Sequence, residues 1–173
     1  MRLFAFFLFI SFLSAEPEIK FQNNFDAKIS IQKEDSLVSS GYLKYREGNF
    51  FYDIQLPYSQ KIIGMDQYII VQDDDFNQVH VYEDNSTFLL REVFNDTYKR
   101  EFMDCLTICF KIILNEGTGF QEAFIVTLNK SIDYITATDI QNMNYLIKFE
   151  NFKTESSKIV YEPPEDYVIV NND

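Results

Sequence analysis

The 173-residue chain holds a single histidine, two cysteines, five glycines and no tryptophan. Each scarcity removes a class of chemistry. One histidine and two apolar-flanked cysteines cannot build the usual four-ligand zinc sets. His80 occupies a polar position of a strand pattern, where an exposed bystander is expected. Five glycines leave no glycine-rich phosphate loop, and no G-x-S-x-G nucleophile elbow occurs. Positive charge is also scarce: 15 Lys and Arg against 27 Asp and Glu give a net charge of −12. Such a surface repels phosphate backbones and anionic headgroups, so nucleic acid and direct electrostatic membrane docking are both disfavoured. The run Asp73-Asp74-Asp75 lacks the alternation and closing Glu of a calcium loop and reads as a solvated turn. No cofactor, metal or catalytic constellation is expected, and an enzyme is unsupported.

The two cysteines, Cys105 and Cys109, lie in the nearly continuous apolar run of residues 104–114, which reads as a buried strand. Four extended residues at about 3.3 Å each separate them by more than a disulfide spans. Two buried free thiols are the favoured expectation, since free Cys behaves as a small hydrophobe.

What the chain does have is apolar patterning. Arg2 precedes an apolar run from Leu3 to Leu13 that stops at Ser14-Ala15. This is the pattern of a cleavable secretory signal peptide over residues 1–15, too short to span a bilayer. Residues 16–173 then form one domain by length, expected to be exported and soluble. Period-two alternation dominates it: Phe25, Ala27, Ile29 and Ile31; Phe50, Tyr52, Ile54 and Leu56; Tyr145, Ile147 and Phe149. Short polar connections between such runs predict a long antiparallel sheet. Residues 86–102 space Phe88, Leu89, Val93 and Phe94 nearer to a helix, with Ser86 or Thr87 as N-cap. A short helix could also follow residue 16. A sheet on this scale curls, so its apolar face must close on itself, pack on helices, or hold a ligand. The face made by Phe50, Tyr52, Ile54 and Leu56 is, on patterning alone, ordinary core. Arg46 falls on the same parity as that face, where a charge needs partners.

The order of motifs narrows the choice. Gly41–Tyr52 ("GYLKYREGNFFY"), Leu56–Ile63 ("LPYSQKII"), Asp73–Val81 ("DDDFNQVHV") and Tyr161–Val170 ("YEPPEDYVIV") follow one another. The chain resembles the LolA family of periplasmic lipoprotein carriers in this order, over nearly all of the expected mature chain. In that family an Arg-Pro-Gly-x-Phe-x-Trp segment precedes a Pro-x-x-Gln-x-Ile segment and a Pro-Pro-x-x-Val-x-Val tail. The resemblance implies a mainly β fold, an incomplete (half) antiparallel β-barrel with a helical lid over an apolar cavity. It implies a periplasmic chaperone that accepts triacylated lipoproteins from an ATP-driven inner-membrane release complex and passes them to an outer-membrane receptor. A monomer without enzymatic activity is expected. A receptor-like or envelope-sensor-like apolar-ligand module is the alternative. Carried over by position, Phe50, Tyr52 (at the family's tryptophan), Ile54 and Ile62 line the acyl site, and Arg46 holds the lid and takes part in transfer. Glu47 departs from the family's proline, and residues 104–114 have no counterpart.

Overall fold

The structure, a computed structural model, describes residues 24–65, 67–83, 93–94, 99–114, 119–129 and 131–172. These are nearly all β. Twelve strands run β1 Asn24–Lys33, β2 Ser36–Arg46, β3 Asn49–Leu56, β4 Gln60–Met65, β5 Tyr68–Asp73, β6 Gln78–Glu83, β7 Arg100–Met103, β8 Ile108–Ile112, β9 Phe120–Leu128, β10 Ser131–Asp139, β11 Asn144–Lys153 and β12 Val168–Asn172. They form one sheet in the order β12-β6-β5-β4-β3-β2-β1-β11-β10-β9-β8-β7. Neighbours are antiparallel except β12, which runs parallel to β6.

The half-barrel with a helical lid is corrected by this arrangement. The sheet ends in β7 on one side and β12 on the other and does not close, and no helix is seen among the described residues. Val93 and Phe94 alone among them have helical conformation. The stretch with helical spacing, residues 86–102, ends inside strand β7, paired along β8. Phe102 sits opposite Phe110 there with its ring edge-on at 5.8 Å. Cross-strand pairing of this kind overrides local spacing. The remainder of that stretch, the short helix after residue 16 and the signal peptide lie outside the described residues.

The cysteine expectation is corrected as well. Cys105 and Cys109 are joined by a disulfide, with Cα atoms 6.3 Å apart. The strand reading fails at its start: β8 begins only at Ile108, and residues 105–107 bend. The bend folds the chain back and brings the two Cα atoms within bridging range.

Alternation places the core on one side, called here the inner face. Phe25, Ala27 and Ile29 of β1 point the same way as Leu43 and Tyr45 of β2 through the pairs Ala27↔Leu43 and Phe25↔Tyr45. Phe25 is fully buried at the centre of an aromatic cluster. Its ring stacks on Phe152 at 4.7 Å and Tyr45 at 5.4 Å, and meets Phe94 edge-on at 4.9 Å. The buried cluster continues through Ile147 and Phe149 of β11 and Ile135 of β10 to Ile112 of β8.

The outer face is crossed by a strap, residues 154–167, which leads from β11 to β12 over the intervening strands. Its bonds mark its course: Ser156 N–H donates to the Asn24 side chain at 2.7 Å, Lys44 Nζ to Ser157 at 3.4 Å, and Tyr161 Oη to Gln72 at 2.9 Å. Tyr167 Oη donates to Asp74 at 3.0 Å, and Lys61 Nζ reaches the same carboxylate at 3.0 Å. Asp74 stands in the β5–β6 turn, where Asp73 Oδ1 also accepts from the Asp75 and Phe76 amides. Outer-face Ile63, Val79 and Gln72 are buried, although the pairs Ile63↔Phe51 and Gln72↔Lys61 turn them away from the core.

This packing yields two expected outcomes. A Cβ at Gly64 would overlap the Phe50 ring, so Gly64→Ala should lower stability by about 1–3 kcal/mol. In a Phe50→Leu background the same change should cost clearly less, and equal losses in urea melts would contradict the close approach. The second concerns Asp74. Partial burial raises its pKa, but hydrogen bonds from Gln72, Lys61 and Tyr167 outweigh this and hold it below the usual carboxylate range. A depressed carboxylate stabilises the fold above its unfolded value, about 3.9, and loses that contribution as pH falls through the lower folded value. Protection of the Ser156 and Tyr167 amides, taken relative to the intrinsic exchange rate at each pH, should therefore fall in acid, and Asp74→Asn should show the low protection already at pH 7.

Candidate apolar binding face

The strand register fixes which of the expected site residues meet. Phe50 pairs with Tyr45 on one side and Gly64 on the other, and Tyr52 pairs with Leu43 and Ile62. Phe50, Tyr52, Ile54 and Ile62 therefore share the inner face. The first three are buried and Ile62 is half-buried against the same cluster. Gly64 leaves open the volume that the Phe50 ring fills.

Two expected members do not join them. A bulge between β2 and β3 pairs Ser40 with Leu56 but Gly41 with Ile54, so Gln55 is the extra residue. Leu56 is thereby turned outward and stands 53% exposed. Gly41 is required at this bulge, because a Cβ there would run into the Asp53 carbonyl. Arg46 pairs with Asn49 and Asn24, and so lies on the outer face with Tyr42 and Lys44. The cause is the two-residue turn Glu47-Gly48, with φ of 50° and 88°. Such a turn suits a right-twisted hairpin, and it sets Tyr45, not Arg46, opposite Phe50.

Several residues of this face escaped the sequence reading of the site. Tyr45 could have been found by counting back across a two-residue turn. Phe25 and Phe149 stood on recognised alternating strands, but only the pairing β1–β11 brings those strands beside β2 and β3. Phe94, 4.8 Å from Tyr45 and 4.9 Å from Phe25, belongs to no strand, and its helical spacing did not say which strands it would meet.

The face is almost free of directional chemistry. Its main polar contact is Tyr52 Oη donating to Ser39 Oγ at 3.0 Å, buried. Burial pushes the Tyr52 phenol above its ordinary value of 10.0, and the bond to Ser39 opposes this only in part. His80, also on the inner side through its pairing with Val71, is half-buried and 3.1 Å from Gln78. The described residues contain no group of three or more His, Cys, Asp or Glu able to hold a metal. The contacts of the face are instead undirected ones between rings and aliphatic side chains, with Phe25, Tyr45, Phe50 and Tyr52 at most 2% exposed.

Two grooves open on the outer face. One of about 490 Å³ is bordered by Glu34, Asp35 and Glu122 with Phe124 and Leu146 in its lining. The other, about 420 Å³, is lined by Lys28, Lys44, Lys153, Asp26 and Tyr42.

Tyr52 offers a test of the inner face. Its raised folded pKa means that its contribution is complete below the unfolded value near 10 and is lost as pH rises through the higher folded one. Tyr52→Phe should flatten the alkaline limb of the stability–pH curve and cost about 1–2 kcal/mol at pH 7, because Ser39 is left unpartnered. Adding Ser39→Ala should recover part of that loss in chemical denaturation.

No family model matches the sequence, and no curated protein matches it. Solved structures do. The chain is similar to an uncharacterized conserved protein from Thermus thermophilus, with a TM-score of 0.56 and 11% identity over 87% of this chain and 91% of that one. It is also similar to a LolA superfamily protein from Nitrosomonas europaea, with a TM-score of 0.51 and 11% identity over 82% of this chain and 90% of that one. At such identity the likeness is one of backbone architecture, and the fold of this chain is LolA-like.

Proposed function

We propose that the protein is a carrier for acyl chains, taking the lipid-modified part of lipoproteins released from an inner membrane across a periplasm to an outer-membrane receptor. The observation that carries this reading is the inner face itself. Phe25, Tyr45, Phe50, Tyr52 and Phe149 are brought together on an open sheet, and the fold is LolA-like. Each acyl methylene moved from water onto such a surface gains about 0.8 kcal/mol. Contacts with ring faces and aliphatic side chains are undirected, so a chain can slide in and out without breaking fixed hydrogen bonds. Transport needs that compromise between holding and release. The chain performs no chemistry on its cargo in this reading. A receptor-like or sensor-like module would use the same face and differ only in where it resides.

The test is acyl binding. Protein exported to the periplasm of a Gram-negative host should co-purify with acylated cargo, seen by native mass spectrometry, and after delipidation should bind a fluorescent fatty acid. Phe50→Glu should reduce that affinity at least tenfold. Because Phe50 is fully buried, half-buried Ile62→Gln is the gentler second variant, expected to weaken binding several-fold with an unchanged circular dichroism spectrum. Arg46→Leu, on the outer face, should bind as the parent does. A folded protein that takes up no acyl probe would end this reading.

A further inference from the structure

The outer-face groove between β2, β1 and β11 is unlike the rest of this acidic chain. Lys28, Lys44 and Lys153 line it, and Arg46 and Lys148 stand on the same face through the pairs Asn24↔Arg46 and Ser30↔Lys148. Glu150 answers Lys28 at 3.7 Å across an exposed pair, a geometry of little worth. Among the described residues neither Lys44 nor Lys153 forms an ion pair. Lys44 has only the long contact to Ser157.

Two further features coincide with those lysines. Asp26 also lines the groove, opposite Lys44 on one side and Lys153 on the other. Its Oδ1 is nonetheless buried with no hydrogen-bond partner. Buried polar atoms are nearly always satisfied, and an exception needs an explanation, an unseen water, ion or ligand among them. The backbone is interrupted at the same place. Asp26 pairs with Lys153 and Lys28 with Glu150, so Asn151 and Phe152 together face Ala27, and Asn151 has φ of 54°. Bulges of this kind unpair the ladder and re-aim side chains beside binding sites.

We propose that this groove binds a phosphoryl group carried next to a hydroxyl or ammonium donor. Lys44 and Lys153 neutralise the phosphate, while the Asp26 carboxylate accepts from the neighbouring donor. Two cations flanking one acceptor match such a mixed ligand better than a bare anion. The volume of about 420 Å³ leaves room beyond the phosphate, and half-exposed Tyr42 supplies an aromatic wall. The net charge of −12 does not forbid this, because charges beyond about 8 Å are screened at physiological salt and the lysines are the near ones. The proposal is independent of acyl binding on the opposite face.

The experiment is a ¹⁵N NMR titration of the exported chain with sn-glycerol 3-phosphate, O-phosphorylethanolamine and inorganic phosphate, alongside flotation with phosphatidylglycerol and phosphatidylcholine vesicles. Saturable shifts at Lys28, Lys44, Asn151 and Lys153 are expected, with either organic phosphate bound at least threefold tighter than inorganic phosphate. Lys44→Gln/Lys153→Gln should weaken binding at least tenfold, and Asp26→Ala should erase the preference for the organic phosphates while leaving the fold intact. Flotation with phosphatidylglycerol vesicles that is lost in the double variant would identify a lipid headgroup as the source of the phosphate. Response to the soluble ligands alone would identify a free phosphorylated molecule. Absence of both responses, or shifts unaffected by the double variant, would overturn the proposal.

Discussion

Everything in this molecule follows from one constraint: a sheet that does not close must do something with its apolar side. Strands alternate strictly enough to load one face with aromatic and aliphatic side chains from β1 to β3 and from β8 to β11. Closure would hide that face, but β7 and β12 end the sheet without pairing to each other. Among the described residues of the buried cluster, only Val93, Phe94 and Leu114 come from outside the strands. The inner face thus gathers most of the buried apolar side chains of the described residues, with Phe25 and Phe50 fully covered.

The outer face is organised by opposite means. Its apolar positions between β4 and β6 are sealed by the strap, which is held by hydroxyl and carboxylate contacts rather than by rings. Asp74 is the point at which Lys61, Gln72 and Tyr167 converge. Toward β11 the outer face changes character and becomes a basic groove with an unanswered carboxylate atom. An apolar face on one side and a basic groove on the other are compatible with one thin sheet, because successive side chains of a strand point to opposite faces.

Much of the strand pattern was legible in the sequence because period-two alternation is a local signal. Phe25, Ala27 and Ile29 fall on one side of β1 and Phe50, Tyr52 and Ile54 on one side of β3, as their spacing demands. The errors came where one residue shifts parity. Gln55 bulges and turns Leu56 outward. The Glu47-Gly48 turn puts Arg46 with Asn49 rather than with Phe50. Both are local events that turn one side chain to the other face while Phe50, Tyr52 and Ile62 keep the inner one. Free thiols at Cys105 and Cys109 follow only from a uniformly extended apolar run, and a bend at residues 105–107 interrupts it. Residues 100–102 were drawn into a helical pattern because pairing with β8 is non-local information. The contacts of the strap were not legible: its partners Asn24, Gln72 and Asp74 lie 132, 89 and 93 residues away in sequence, and the motif Tyr161–Val170 says nothing of what its tyrosines meet.

The measurement that bears most directly on the central claim is paramagnetic broadening of isoleucine methyl signals by a spin-labelled fatty acid. Ile62 and Ile63 are neighbours in β4 but belong to opposite faces, as do Ile69 and Ile70 in β5. If foreign hydrocarbon lodges on the inner face, the methyls of Ile54, Ile62 and Ile69 should broaden, while those of Ile63 and Ile70 stay sharp. Equal broadening of both sets, or none in either, would mean that the inner face is only the protein's own core.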